Sequence, residues 1–235
     1  MFSKTVNLKI HERAFVHIDG TLQKILPPGK HRLNVGFKSV RVEIFSINNL
    51  EFQHELSEHL LANPTPEITS FFVIVKLNAY QVGVRYANGT LVEVLTPNTR
   101  KMYWKGLIET KIDFFDIGQT ADVPQSILPN LEKYLVSAPA NVSDQFTSIA
   151  LTENQVGLRS ESGVLVEILA PAARKLYWKS GLDNHIEILD ISDALELPAG
   201  LVKRISQTGK RAKKLDGLEG KWCVCLLEIP TQCGD

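Results

Sequence analysis

Leu77–Ile117, LNAYQVGVRYANGTLVEVLTPNTRKMYWKGLIETKIDFFDI, aligns without a gap on Leu151–Ile191, LTENQVGLRSESGVLVEILAPAARKLYWKSGLDNHIEILDI, at an offset of 74 (151 − 77). Gln-Val-Gly, Leu-Val-Glu, Arg-Lys, Tyr-Trp-Lys and Asp-Ile recur at matching positions, so the chain is read first as a repeat protein. A more diverged copy, Leu8–Ile47, places Gly20, Leu22, Leu26 and Pro28 where Gly89, Leu91, Leu95 and Pro97 fall, and it lacks the Tyr-Trp-Lys triplet. Trp222–Gly234 is similar to Phe71–Gly83 and reads as the opening of a fourth copy, cut short one residue later.

Each copy reads as β structure. Two short β-branched runs, Gln81–Tyr86 and Thr90–Leu95, flank Asn88-Gly89, and the matching turns are Asp19-Gly20 and Ser162-Gly163. Asn-Gly and Asp-Gly supply the two positive-φ residues of a tight hairpin. A proline follows the second run in each copy (Pro28, Pro97, Pro171), where no ladder donor is needed, and marks the next turn. Arg100–Trp104 and Lys111–Ile117 complete a unit of four or five strands.

Between copies the period lengthens. Leu50–Leu61 puts Phe52, Leu56, Leu60 and Leu61 on one stripe and predicts a helix ending before Pro64. Ile127–Val136 and Ala199–Leu215 occupy the same place after the second and third copies. The expected fold class is α+β, mainly β: a tandem array of small antiparallel β modules joined by short helices. The expected divisions are 1–62 (module 1 plus helix), 63–137 (module 2 plus helix), 138–217 (module 3 plus basic helix) and 218–235 (a truncated fourth module).

Composition narrows the function classes. Lysine plus arginine equals aspartate plus glutamate, 26 each, so no global field draws in nucleic acid. The longest apolar runs, such as Phe71–Val75 and Val224–Leu227, fall far short of the ~20 residues of a spanning helix. The N-terminal residues lack the pattern of a signal peptide, and three cysteines crowded into the last thirteen residues suit a reducing compartment, so the expected location is cytoplasmic.

No constellation carries catalysis. His54-Glu-Leu-Ser-Glu-His59 approaches a zinc-protease helix, but five steps of about 100° carry the second histidine roughly 140° past a full turn, off the common face. Cys223, Cys225 and Cys233 lack the fourth ligand that zinc takes. There is neither a Walker loop nor a Gly-x-Ser-x-Gly elbow. The expectation is therefore no enzyme, no cofactor and no small-molecule substrate. In the repeated Arg-Lys-x-Tyr-Trp-Lys strips, alternation sets Tyr and Lys on one side and Trp on the other. That makes Arg100, Tyr103, Lys105, Arg174, Tyr177 and Lys179 candidate protein contacts, since Trp, Tyr and Arg dominate interface hot spots; the alternative is packing plus a solvated stripe. The basic run Lys203, Arg204, Lys210, Arg211, Lys213 and Lys214 is the candidate contact with acidic phospholipid.

Glu12-Arg13-Ala14, Asp19-Gly20 and Leu26-Pro27-Pro28-Gly29-Lys30-His31 together resemble the start of slipins, stomatin-like members of the band-7 (SPFH) group. The resemblance covers Lys4 to about Ile191, the tandem β-repeat region without the band-7 domain; the units are also similar to the repeats of the major vault protein. It implies a self-assembling scaffold, a homo-oligomer associated with membranes and working with a membrane protease or membrane protein. The expected function is thus a non-catalytic scaffold of slipin type acting by self-assembly or partner recruitment. The alternative is a peripheral adaptor held at the inner face of a membrane by the basic run at 203–214. The family also implies that the chain is a shortened version of a longer protein.

Overall fold

The computed structural model describes residues 3–34, 36–179 and 183–192. Fifteen strands and four short helices alternate along them. Module 1 comprises β1 (Ser3–Leu8), β2 (Glu12–Ile18), β3 (Thr21–Leu26), β4 (Gly29–Asn34) and β5 (Val40–Ser46). Helices α1 (Ser57–Ala62) and α2 (Pro66–Phe71) follow. Module 2 is β6 (Phe72–Lys76), β7 (Gln81–Ala87), β8 (Thr90–Leu95), β9 (Arg100–Trp104) and β10 (Thr110–Asp116). After α3 (Leu128–Leu135) and α4 (Ala140–Ser143), module 3 is β11 (Phe146–Ala150), β12 (Gln155–Glu161), β13 (Val164–Leu169), β14 (Arg174–Trp178) and β15 (Asn184–Asp190). The fold is the expected tandem array of small antiparallel β modules joined by short helices.

One plan recurs. The first strand pairs with the fourth in a two-stranded sheet, and the second strand lies between the third and fifth in a three-stranded sheet. The second-to-third hairpin carries a register irregularity at the same place each time: Val16/His17, Arg85/Tyr86 and Arg159/Ser160. Local chemistry sets the plan. Asp19, Asn88 and Ser162 have φ of 52°, 48° and 50°, and the glycines after them 83°, 79° and 78°, so both central residues of each turn are left-handed. This turn matches the right-handed twist of the flanking strands. Its first residue also ties down the start of the fifth strand: Asp19, Asn88 and Ser162 donate their N–H to the carbonyls of Ser39, Glu109 and Asp183. The proline-containing turn holds a second left-handed residue, Gly29, Asn98 or Ala172.

The chain divides into two compact units between Phe115 and Asp116. The first holds modules 1 and 2, joined through an aromatic core. Phe15 and Phe45 of module 1, Phe52 of the linker, and Phe72 and Trp104 of module 2 meet there with ring centroids 4.2–6.5 Å apart. Leu60, Leu61 and Ile68 of the helices close this core. In the second unit, Trp178 packs on Phe146 at 4.7 Å, as Trp104 packs on Phe72.

The linker differs from expectation. Helix begins only at Ser57; before it Glu51 bridges to Tyr103, and Phe52 donates its N–H to the Met102 carbonyl at 2.8 Å. Leu50–Phe52 therefore runs beside β9, and Phe52 reaches the core from an extended segment. Asp122 bridges to Tyr177 in the same way. Helix α3 lies within the expected Ile127–Val136 span. Helix α2 was not anticipated, although its start is conventional: Thr65 accepts from the Ile68 N–H, and Pro66 occupies the first turn. The basic helix expected at Ala199–Leu215 and the fourth module opening at Trp222 lie outside the described residues.

Candidate functional site

The two Tyr-Trp-Lys strips are β9 and β14 with the lysine that follows each. Arg100, Lys105, Arg174 and Lys179 are exposed. Tyr103 and Tyr177 are not: each is 1% exposed, as buried as the neighbouring Trp104 (2%) and Trp178 (1%). Alternation misplaces the tyrosines because the strip is covered on both sides, Trp104 facing the aromatic core and Tyr103 packing with Val75, Leu77 and Leu95. The tyrosines thus pack inside their modules, while Arg100 pairs with Glu58 at 3.0 Å and Lys105 donates to the Thr69 carbonyl at 2.7 Å.

Each buried hydroxyl ends in a charged box. In module 2, Tyr103 donates to Glu93 Oε2 at 3.0 Å, Arg85 Nε to the same oxygen at 2.8 Å, and Lys101 Nζ to Oε1 at 2.9 Å. The Arg85 guanidinium lies over the Tyr103 ring, 4.7 Å from its centroid. In module 3 the partners are Tyr177 (2.9 Å), Arg159 (3.1 Å) and Lys175 (3.3 Å) around Glu167, again with the guanidinium 4.7 Å above the ring. Module 1 has Val16, Lys24, Arg32 and Asn34 at these positions and makes no such box. Glu93 and Glu167 belong to the repeated Leu-Val-Glu, so the repeat displayed the acceptors; their role was hidden because the box spans three strands.

The electrostatics describe a clamp, not a proton-transfer device. Burial by itself raises the Glu93 carboxyl, but hydrogen bonds and charge from Lys101 and Arg85 outweigh it and hold the group below its ordinary value. Burial lowers the Lys101 ammonium; bonds to Glu93 and Glu51 more than restore it. Burial, then the Glu93 charge, pushes the Tyr103 hydroxyl far above its usual range, and burial with Glu167 does the same to Tyr177. These shifts move the groups away from neutrality, whereas general acid–base work wants them near it.

His54 accepts at Nδ1 from the Leu56 N–H (3.2 Å) and meets Glu43 with Nε2 (3.2 Å), so the imidazole pins the linker to β5. Among the described residues no group of three or more His, Cys, Asp or Glu side chains could hold a metal ion, and no helix is long and apolar enough to cross a membrane. A groove of about 580 Å³ between β3 and helices α1 and α2 is lined by Leu22, Leu56, Leu60 and Ile68. The candidate lipid contacts Lys203, Arg204, Lys210, Arg211, Lys213 and Lys214 lie outside the described residues.

Missed from sequence were the outer edges of β5, β10 and β15. Among the described residues each of these strands pairs on one side only, with the second strand of its module. Each repeats one burial pattern and exposes one apolar side chain at the same position: Ile44 (53%), Phe114 (54%) and Ile188 (47%). The signal available was the recurrence of a basic residue and an acidic residue two apart (Arg41/Glu43, Lys111/Asp113, and His185/Glu187 when the imidazole is charged).

No family model matches the chain, and no curated protein does. Among solved structures, the central fibronectin-III array of RIM-binding protein aligns at 12% identity over 83% of this chain and 82% of that one. The TM-score of 0.14 is too low to carry an argument. The slipin, band-7 identification is accordingly corrected, since no such family model matches. Part of the physical reason lies in the motif: Asp19, Gly20 and Gly29 all have positive φ, so these three are residues that tight turns require in any lineage. The membrane-protease partner was implied by that resemblance alone.

Proposed function

We propose that the chain is a non-catalytic scaffold whose β modules meet other proteins, copies of itself included, through open sheet edges. The observation carrying this reading is the repetition of one outward feature in all three modules, a fifth strand whose ladder, among the described residues, is single-sided and which exposes an apolar residue. An unpaired strand edge is a template for another strand, and structures ordinarily cover or blunt it. Arg100, Lys105, Arg174 and Lys179 form a solvated stripe on this reading, while Tyr103 and Tyr177 maintain the modules.

Light scattering against concentration tests it. The mass is expected to rise above the 26.2 kDa of one chain within the micromolar range. A mass fixed at 26.2 kDa throughout contradicts self-assembly. Flotation with acidic vesicles at physiological salt, in place of association, favours the basic run at 203–214.

A further inference from the structure

We infer that β10 is a self-complementary docking strand that pairs antiparallel with β10 of a second copy about a two-fold axis at Ile112. The inference rests on the self-assembly reading and names its surface. Asn88 donates its N–H to the Glu109 carbonyl, which fixes the phase of the strand. Strand alternation then turns the backbone groups of Thr110, Ile112 and Phe114 outward, away from β7. A two-fold axis at Ile112 sets Ile112 opposite its own copy and Thr110 opposite Phe114, so the three outward residues of each strand find outward partners. The same axis sets Lys111 opposite Asp113 on the other face, twice.

Charge therefore selects this register. Lys111 and Asp113 lie 2.9 Å apart within the strand, with side chains 70% and 33% exposed. In the pair each exchanges that neighbour for the opposite charge across the strands. A shift by two residues brings like charges together or leaves them unmatched, which opposes other pairings. The equivalent strands repeat the arrangement: Arg41/Glu43 about Val42, and His185/Glu187 about Ile186. In module 1, however, Glu43 is already held by His54 at 3.2 Å. β10 also carries the bulkiest of the three exposed apolar residues, Phe114.

The test is a charge-swap cycle on the full chain, read by sedimentation against concentration. Lys111→Asp or Asp113→Lys alone makes both cross-strand pairs repulsive and is expected to weaken self-association roughly tenfold or more. Mixing the two single variants, or combining both changes in one chain, restores opposite charges and is expected to restore association. Phe114→Pro removes an outward N–H without touching the ladder to β7 and is expected to abolish pairing with circular dichroism unchanged. Association of the wild type that is indifferent to all these changes overturns the β10 edge and leaves the self-assembly reading standing. A wild type that stays monomeric overturns both.

Discussion

Glu93→Ala removes the acceptor of three hydrogen bonds and strands a guanidinium, because the Arg85 side chain is only 14% exposed. Lys101 keeps Glu51 at 3.0 Å, so the loss falls mainly on Arg85 and the Tyr103 hydroxyl. Breaking a buried ion pair from one side costs about 3–5 kcal/mol, and the lower end applies because the Glu93 side chain is itself 22% exposed. Tyr103→Phe deletes one bond and leaves Glu93 with two cations, for about 1 kcal/mol. The informative variant is Arg85→Val with Glu93→Ala. Module 1 holds the fully buried Val16 at the position of Arg85, so valine is compatible with the plan, and no unpaired charge remains. The double variant is expected to be more stable than Glu93→Ala alone by about 1 kcal/mol or more. Native-state hydrogen exchange of β7 and β8 reads the opening of module 2 separately from the other modules. Additive losses, or a Glu93→Ala cost below about 1 kcal/mol, refute the clamp.

Other consequences are local. Ala172 has φ of 59° where its counterparts are Asn98 and Gly29, so Ala172→Gly is expected to raise the urea midpoint of module 3 by the equivalent of about 0.5–1 kcal/mol. Gly106 has φ of 144°, and a Cβ there would lie 2.7 Å from Arg13 Nη2 and 3.2 Å from Ile47 Cδ1. Gly106→Ala is expected to cost about 1–3 kcal/mol in thermal or urea unfolding. Tyr103 and Tyr177 bind their protons more tightly folded than unfolded, so their contribution is whole below the unfolded value of about 10 and fades as pH rises through the folded one. In an ultraviolet titration, these two of the five tyrosines should ionise only together with unfolding. Glu93 acts oppositely: its contribution is whole above the unfolded carboxyl value of about 4.3 and is lost as pH falls through its lower folded value, so Glu93→Gln should flatten the acid limb of stability.

Period and turn chemistry made most of the fold legible. Asp19-Gly20 and Asn88-Gly89 announce their hairpins, and the repeat carries Ser162-Gly163 along although serine is a weak signal for a left-handed residue. The helical period of Leu50–Leu61 misled because Phe52 and Leu60 are buried from different structures, an extended segment beside β9 and helix α1. The Tyr-Trp-Lys strip misled because strand alternation separates two faces without saying that both are covered. The charged boxes join Arg85, Glu93, Lys101 and Tyr103 from three strands, a proximity that only the sheet topology creates. The edge of β10 was written in Lys111 and Asp113, but a charge pair two apart has meaning as a docking element only once the strand is known to stand at an edge.

Self-assembly through an open edge is tested most directly by hydrogen exchange of the wild-type chain at low and high protein concentration. Pairing at β10 predicts that the amides of Thr110, Ile112 and Phe114 exchange readily when dilute and gain protection with concentration, while Lys111 and Asp113, already turned to β7, change little. Exchange at Thr110, Ile112 and Phe114 that is independent of concentration, in a sample whose mass rises, contradicts the assigned edge; exchange and mass both independent of concentration contradict self-assembly itself.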